Sequence, residues 1–183
     1  MKTKTIIGWI FFLIIIDQII KIIINTYFLE TEFNIIPTIL EFKPTFNGHH
    51  SWVNSMLYNK FQINIGLLPH IILFILIEII ILAIYFFYKK NIYFHTKLLD
   101  IALIFQLTGA ICAFIGNLIW EKGTLDYIYL KPLFVFDLKD VYINCSVVLF
   151  IVFFEKNRNQ IKNVKMRDFF SHVKGLFNRQ ENM

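Results

Sequence analysis

The stretch TIIGWIFFLIIIDQIIKIIINTYF, residues 5–28, decides how this chain is read. It is a long apolar run, interrupted by Asp17, Gln18, Lys21 and Asn25. A helix rises about 1.5 Å per residue, so about 20 such residues cross the ~30 Å hydrocarbon layer of a bilayer. Lys2 and Lys4 imitate the basic start of a secretion signal. The run is too long for one, carries charges, and lacks a small-residue cleavage site after it, so it is expected to stay as a span. Three more apolar stretches follow: 70–88, broken by Glu78; 98–120, with Asp100 and Asn117; and 137–154, with Lys139 and Asp140 near its start. The last is the shortest and spans only if its polar beginning lies at the interface.

The composition agrees. Of 183 residues 57% are hydrophobic and 17% charged, with mean hydropathy +0.60. A soluble domain carries about 25% charged residues, and one of this size cannot hide so much apolar surface in a single core. A disordered tail, a disulfide scaffold and a plain soluble enzyme are poor readings. Lys outnumbers Arg, and Ile and Phe are abundant, a pattern of A/T-rich coding, so aromatic richness carries little functional weight. Cys112 and Cys145 both sit in apolar runs without metal spacing and say nothing of redox compartment. No phosphate-binding loop and no nucleic-acid signature is found.

The expected fold is an all-α integral membrane protein, a single four-helix membrane domain over 1–155 followed by a basic cytoplasmic tail, 156–183. Lys2, Lys4, Lys89, Lys90, Lys97 and seven Lys and Arg residues of the tail fall on one side, against Lys43, Lys60, Lys122 and Lys131 on the other. The excess of basic residues marks the cytoplasmic side, so both termini are expected there. Segments 29–69 and 121–136 are then extracytoplasmic. Within the first, residues 33–46 are expected to form short edge strands, and 51–62 a short helix on the membrane surface. Trp52 and Trp120 read as interfacial anchors. Phe169, Phe170, Val173, Leu176 and Phe177 belong to a tail read as solvated rather than membrane-bound. Adjacent His49 and His50 diverge and have no third ligand, so no metal site is expected there.

Ionisable groups inside a bilayer are costly unless paired, which makes them the first candidates for chemistry. Counted from the lysine anchors at ~1.5 Å per residue, Asp17 lies roughly 20 Å up the first helix, Lys21 roughly 26 Å, Asn117 roughly 30 Å up the third, and Asp140 roughly 22 Å above Glu155. Asp126 lies in the connection just above. Groups from three helices and a loop are thus expected to meet near the outer surface. Asp17 and Lys21, four apart, share a helix face, where an internal ion pair is the structural alternative. Asp100 reads as an ion-pair partner of Lys97, and Glu78, alone on its helix near mid-depth, is either buried and protonated or paired with another helix.

Several of these residues fall in blocks that resemble the lipoprotein signal peptidase (signal peptidase II) family. Asp17-Gln18-Ile19-Ile20-Lys21 is similar to its D-Q-x-x-K motif. Gly116-Asn117-Leu118-Ile119 resembles G-N-L-I, Leu125-Asp126-Tyr127-Ile128 resembles V-D-F-I, and Phe136-Asp137-Leu138-Lys139-Asp140 resembles F-N-x-A-D. Asn47 and Gly48 stand where the family has N-x-G. The blocks occur in family order over about residues 5–154. Trp120 and Glu121 replace the family's Asp-Arg, Asp137 its Asn, Lys139 its Ala, and His49 and His50 its small residues after the loop glycine.

The resemblance implies a membrane aspartic endopeptidase of the bacterial cytoplasmic (inner) membrane, with its site near the extracytoplasmic face. By motif Asp126 and Asp140 are the catalytic pair, supported by Asp17, Lys21, Asn47, Asn117 and Asp137. The implied substrate is a diacylglyceryl-modified prolipoprotein, cut before its lipidated cysteine. No cofactor or metal is expected, the membrane lipid is the other partner, and a monomer is the expected unit. Two close carboxylates cannot both ionise easily and share a proton, one acting as base toward water and the other as acid. Lys139 lies about 100° round a helix from Asp140 and need not enter the site. Were it to enter, it would hold one aspartate ionised and suppress the sharing. Asp137, three before Asp140, is either an extra carboxylate or the helix cap. A non-cleaving relative that binds lipoprotein, and an unrelated four-helix carrier subunit, are the alternatives.

Overall fold

The computed structural model describes residues 1–49, 52–120, 122–162 and 164. Its architecture is helical, with one small sheet. Helix α1 (Thr3–Ile23) continues through a wider π-helical turn (Ile24–Phe28) into strands β1 (Phe33–Ile36) and β2 (Leu40–Asn47). A short helix α2 (Trp52–Phe61) leads to the long helices α3 (Leu67–Asn91) and α4 (Thr96–Ile119). Strands β3 (Thr124–Leu130) and β4 (Phe134–Phe136) precede α5 (Leu138–Lys156) and the single turn α6 (Arg158–Ile161).

Among the described residues three helices are long and apolar enough to cross a membrane: Thr3–Phe28, Leu67–Asn91 and Thr96–Ile119. Helix α5 has 19 residues and opens on Lys139 and Asp140. It packs along α4, which is the central helix and also touches α1 and α3. The outward side chains of α1 and α3, among them Phe11, Phe12, Ile15, Leu73, Leu76 and Ile80, are exposed and apolar. That inside-out pattern suits acyl chains as solvent. Buried apolar side chains instead gather along α4: Leu99 and Leu103 pack with Tyr85, Ile92 and Phe153, and Ile104 packs with Ile6 and Ile10.

The close approach of α4 and α5 depends on Gly109. A Cβ there would meet the Ile143 side chain at 2.6 Å and the Lys139 carbonyl oxygen at 2.9 Å. Small residues at such crossings let helix backbones approach within a membrane. The crossing sits at the first turn of α5 and so fixes the height of Asp140.

The sheet is antiparallel in the order β1-β2-β3-β4. The strands expected over 33–46 are present, but β2 is interior rather than an edge, paired with β1 and with β3. Pro44, which has no N–H to give a ladder, falls where the β2–β3 register shifts between Phe42 and Thr45. The partner strands β3 and β4 lie in the segment read from sequence only as an outer connection. Helix α2 occupies the place expected for the surface helix. The tail residues Phe169, Phe170, Val173, Leu176 and Phe177 lie outside the described residues, as does His50.

One pairing differs from expectation. Asp100, fully buried, is bound not by Lys97 but by Lys89, at 2.6 Å and 2.7 Å, by the Tyr85 hydroxyl at 2.9 Å, and by the amino group of Met1. Tertiary neighbours on α3 and at the N-terminus win over the local one. Of the courses open to Glu78, a bond to another helix is realised: the Gln106 amide donates to it at 2.7 Å, and Ser146 donates to the Gln106 carbonyl oxygen at 2.6 Å, so α3, α4 and α5 are stitched by one polar chain.

Gly109→Leu is expected to destabilise the protein by about 1–3 kcal/mol, because one of the two contacts is backbone and cannot step aside. Gly8→Ala, with nothing within 4 Å of the added carbon, is expected to leave the melting temperature in detergent unchanged.

Candidate active site

Strand alternation places Asp126. Leu125 and Tyr127 point into an apolar cluster with Ile24, packed against Ile20, Phe42 and Leu138. Asp126 and Thr124, on the other face, line a cavity of about 520 Å³. Asp126 is held at this height by pairing of Thr45 with Asp126 and Asn47 with Thr124. Between the strands' ends Gly123, at φ 93°, lets the chain pass the Asn47 carbonyl oxygen, which a Cβ would meet at 2.2 Å.

The start of α5 places Asp140. Asp137 is the N-cap: its Oδ1 accepts the Asp140 N–H at 3.3 Å, while Asp140 Oδ2 accepts the Asp137 N–H at 3.1 Å. This reciprocal capping box satisfies two helix-end donors and sets two carboxylates against the positive end of the helix dipole. Of the two roles read from sequence for Asp137, the cap is thus realised, and its carboxylate also enters the charge cluster.

That cluster is a chain of alternating charge. Lys21 Nζ lies 2.9 Å from Asp17 and 2.7 Å from Asp137. Lys139 Nζ lies 2.8 Å from Asp137, 2.7 Å from Asp126 and 3.3 Å from Asp140. Asp17, Lys21 and Asp137 are closed from solvent, Asp126 and Lys139 nearly so, and the Asp140 side chain is 36% exposed. Lys139 is therefore at the centre of the site: of the two courses the sequence left open for it, entry is the one realised. The offset is real, but the long stem and the cap at Asp137 bring its ammonium back between the carboxylates.

Carboxylate oxygens of Asp126, Asp137 and Asp140 all lie within 4.8 Å of one another, and among the described residues these three are the set that could hold a cation. The Lys139 ammonium reaches all three. Burial pushes the Asp126 carboxyl above the usual carboxylate range; Lys139 opposes that rise, and the charge of Asp137 adds to it.

The other sequence candidates divide. Asn47 lines the same cavity as Asp126 and Asp140, and its side-chain oxygen accepts from Ser55 at 3.0 Å and from the His49 N–H at 3.1 Å. Asn117 donates to the Ala113 carbonyl oxygen at 3.0 Å and lines a small space that adjoins this cavity across His70 and Phe74. Sequence reasoning missed Asn54 and His70. Both line the cavity, and Asn54, almost fully buried, joins the His49 carbonyl oxygen, Asn64 and the Ile65 N–H. A polar residue on an otherwise surface-seeking helix was the available signal. His49 stacks on Tyr58 with ring centroids 4.4 Å apart, and Trp120 packs against Phe46.

Membrane-length helices capped by a sheet that gathers aspartates at their junction define a membrane protein with a carboxylate site. The chain belongs to the signal peptidase (SPase) II family, whose model matches residues 9–155. That is a family of aspartic peptidases, bacterial membrane enzymes that act on lipoprotein precursors. Two solved structures of bacterial membrane enzymes share the fold. One is 24% identical, with a TM-score of 0.60 over 82% of this chain and 92% of that one. The other is 23% identical, with a TM-score of 0.61 over 90% and 93%. No curated protein matches the chain.

Removing Lys21 leaves Asp17 without its counter-charge in a closed interior and Asp137 with Lys139 alone. Lys21→Met is expected to cost about 3–5 kcal/mol, as loss of one partner of a buried ion pair does. Adding Asp17→Leu is expected to recover part of that loss, measured as a double-mutant cycle on thermal unfolding.

Proposed function

We propose that this chain is an active lipoprotein signal peptidase that cuts diacylglyceryl-modified prolipoproteins before the lipidated cysteine. One observation carries the reading: Asp126 from β3 and Asp140 from α5 bring carboxylate oxygens within 4.8 Å of one another at the wall of one cavity. In this reading α5 is the fourth span, both termini are cytoplasmic, and the site lies at the outer leaflet of the inner membrane, where a lipid-anchored peptide presents its bond. The working unit is a monomer.

The chemistry needs no covalent intermediate. The ionised aspartate takes a proton from water as the oxygen adds to the scissile carbonyl carbon. The protonated one gives its proton to the leaving nitrogen as the C–N bond breaks. Asp17, Lys21 and Asp137 fix the top of α5 against α1. Asn47 ties the cavity wall to α2 through Ser55. Asn117 supports the outer end of α4. A second reading, binding of lipoprotein without cleavage, is favoured by Lys139, whose ammonium stands between the two catalytic carboxylates.

Incubation of the purified protein in detergent with a lipid-modified precursor decides between them. Release of the signal peptide, abolished by Asp126→Asn and by Asp140→Asn, is expected. Substrate that co-purifies uncut would support the second reading, and absence of both cleavage and co-purification would leave the peptidase reading without support. The pH dependence has a definite sign. A base must be ionised to act, and burial raises Asp126, so activity is expected to fall with acidification at a pH above the ordinary aspartate value of about 3.9.

A further inference from the structure

The ammonium of Lys139 has three N–H donors, and three carboxylates stand round it: Asp126 at 2.7 Å, Asp137 at 2.8 Å and Asp140 at 3.3 Å. It cannot drift toward either member of the catalytic pair, because Asp137 holds it from behind. Asp137 is itself held by Lys21 at 2.7 Å, and Lys21 by Asp17 at 2.9 Å. The cation is thus anchored to α1 through a chain closed from solvent.

Two equivalent carboxylates that share a proton carry it on either side. A fixed cation nearer to one of them removes that equivalence. We propose that Lys139 is a positioning residue of the pair, whose ammonium assigns Asp126 the part of base and leaves the proton on Asp140. The assignment rests on the peptidase reading above. It also fits exposure: Asp140, with its side chain 36% exposed, lines both the polar cavity and an adjoining apolar one of about 590 Å³, so its proton is the one a substrate nitrogen can reach.

The step balances. Asp126 takes a proton from the attacking water, the oxygen bonds to the carbonyl carbon, the C–N bond breaks, and Asp140 gives its proton to the nitrogen. Asp126 then holds a proton and Asp140 a charge, and transfer of that proton between them resets the pair. Among the described residues the charged and titratable groups round Lys139 are Asp126 and Tyr127 from β3, Asp137 and Asp140 from the start of α5, and Lys21 and Asp17 from α1 beyond Asp137, with His70 of α3 across the cavity.

The test has two arms. In the first, kcat and KM are followed against pH for wild type, Lys139→Met and Lys139→Arg with a lipid-modified precursor. Lys139→Met is expected to lower kcat about 10- to 100-fold with KM changed less than about 3-fold, and to move the acid limb up by about a pH unit or more; Lys139→Arg is expected to keep the wild-type limb. An acid limb unmoved in Lys139→Met would overturn the proposal. The second arm needs neither substrate nor a lysine variant. Infrared difference spectra of the wild type at neutral pH are expected to show a protonated carboxyl band that is lost in Asp140→Asn and kept in Asp126→Asn; the reverse assignment, or no such band, would overturn the proposal. Failure of wild type to cleave would sink the peptidase reading while this arm still reports where the proton resides.

Discussion

Charge taken out of water is the constraint on which the rest of this structure depends. Four aspartates and two lysines meet where the helices end and the sheet begins, and most of their surface is closed. Isolated, each would cost several kcal/mol to bury. Strung in alternation from Asp17 through Lys21, Asp137 and Lys139 to Asp126 and Asp140, each cation touches at least two anions. The arrangement holds only if α1, β3 and α5 keep their relative heights. Gly109 at the α4–α5 crossing and the β2–β3 register therefore serve the same end as the ion pairs.

The cluster leaves more negative than positive charge, four carboxylates against two ammoniums. The excess divides evenly: one carboxylate more than ammonium at the closed end, in Asp17, Lys21 and Asp137, and one more at the open end, in Lys139, Asp126 and Asp140. A site with surplus negative charge in a dry surrounding retains protons, which is what an acid–base pair requires. In the proposed peptidase the closed end, Asp17, Lys21 and Asp137, holds α5 against α1, and the open end, Asp126 and Asp140, carries the acid–base chemistry.

Much of this was legible in residues 5–28, because a helix of spanning length has one strong signature and an aspartate and lysine four apart must share a face. The meeting of Asp17, Lys21, Asp126 and Asp140 followed from depth counting, since rise per residue is nearly constant in a helix. The sheet was only half legible. Residues 33–46 carry strand composition, but whether a strand is edge or interior depends on its partner, and the partner was hidden in a short connection of 121–136. Asp100 shows the same limit: its pairing with Lys89 joins residues brought together by the α3–α4 turn, and no local spacing encodes it.

Lys139 is the residue whose place the sequence left most open, and the reason is geometric. A helical wheel measures the direction of a Cα–Cβ bond, and by that measure Lys139 and Asp140 diverge. The wheel ignores a stem of four methylenes, and it ignores that the first turn of a helix has its backbone turned toward whatever caps it. Asp137 is that cap, so one side chain both starts the helix and draws the lysine inward. An alanine at 139 would leave Asp137 with Lys21 as its counter-charge and Asp126 with none in contact. A lysine there adds a positive charge to a site otherwise dominated by carboxylates, and with it an asymmetry between Asp126 and Asp140 that neither aspartate supplies alone.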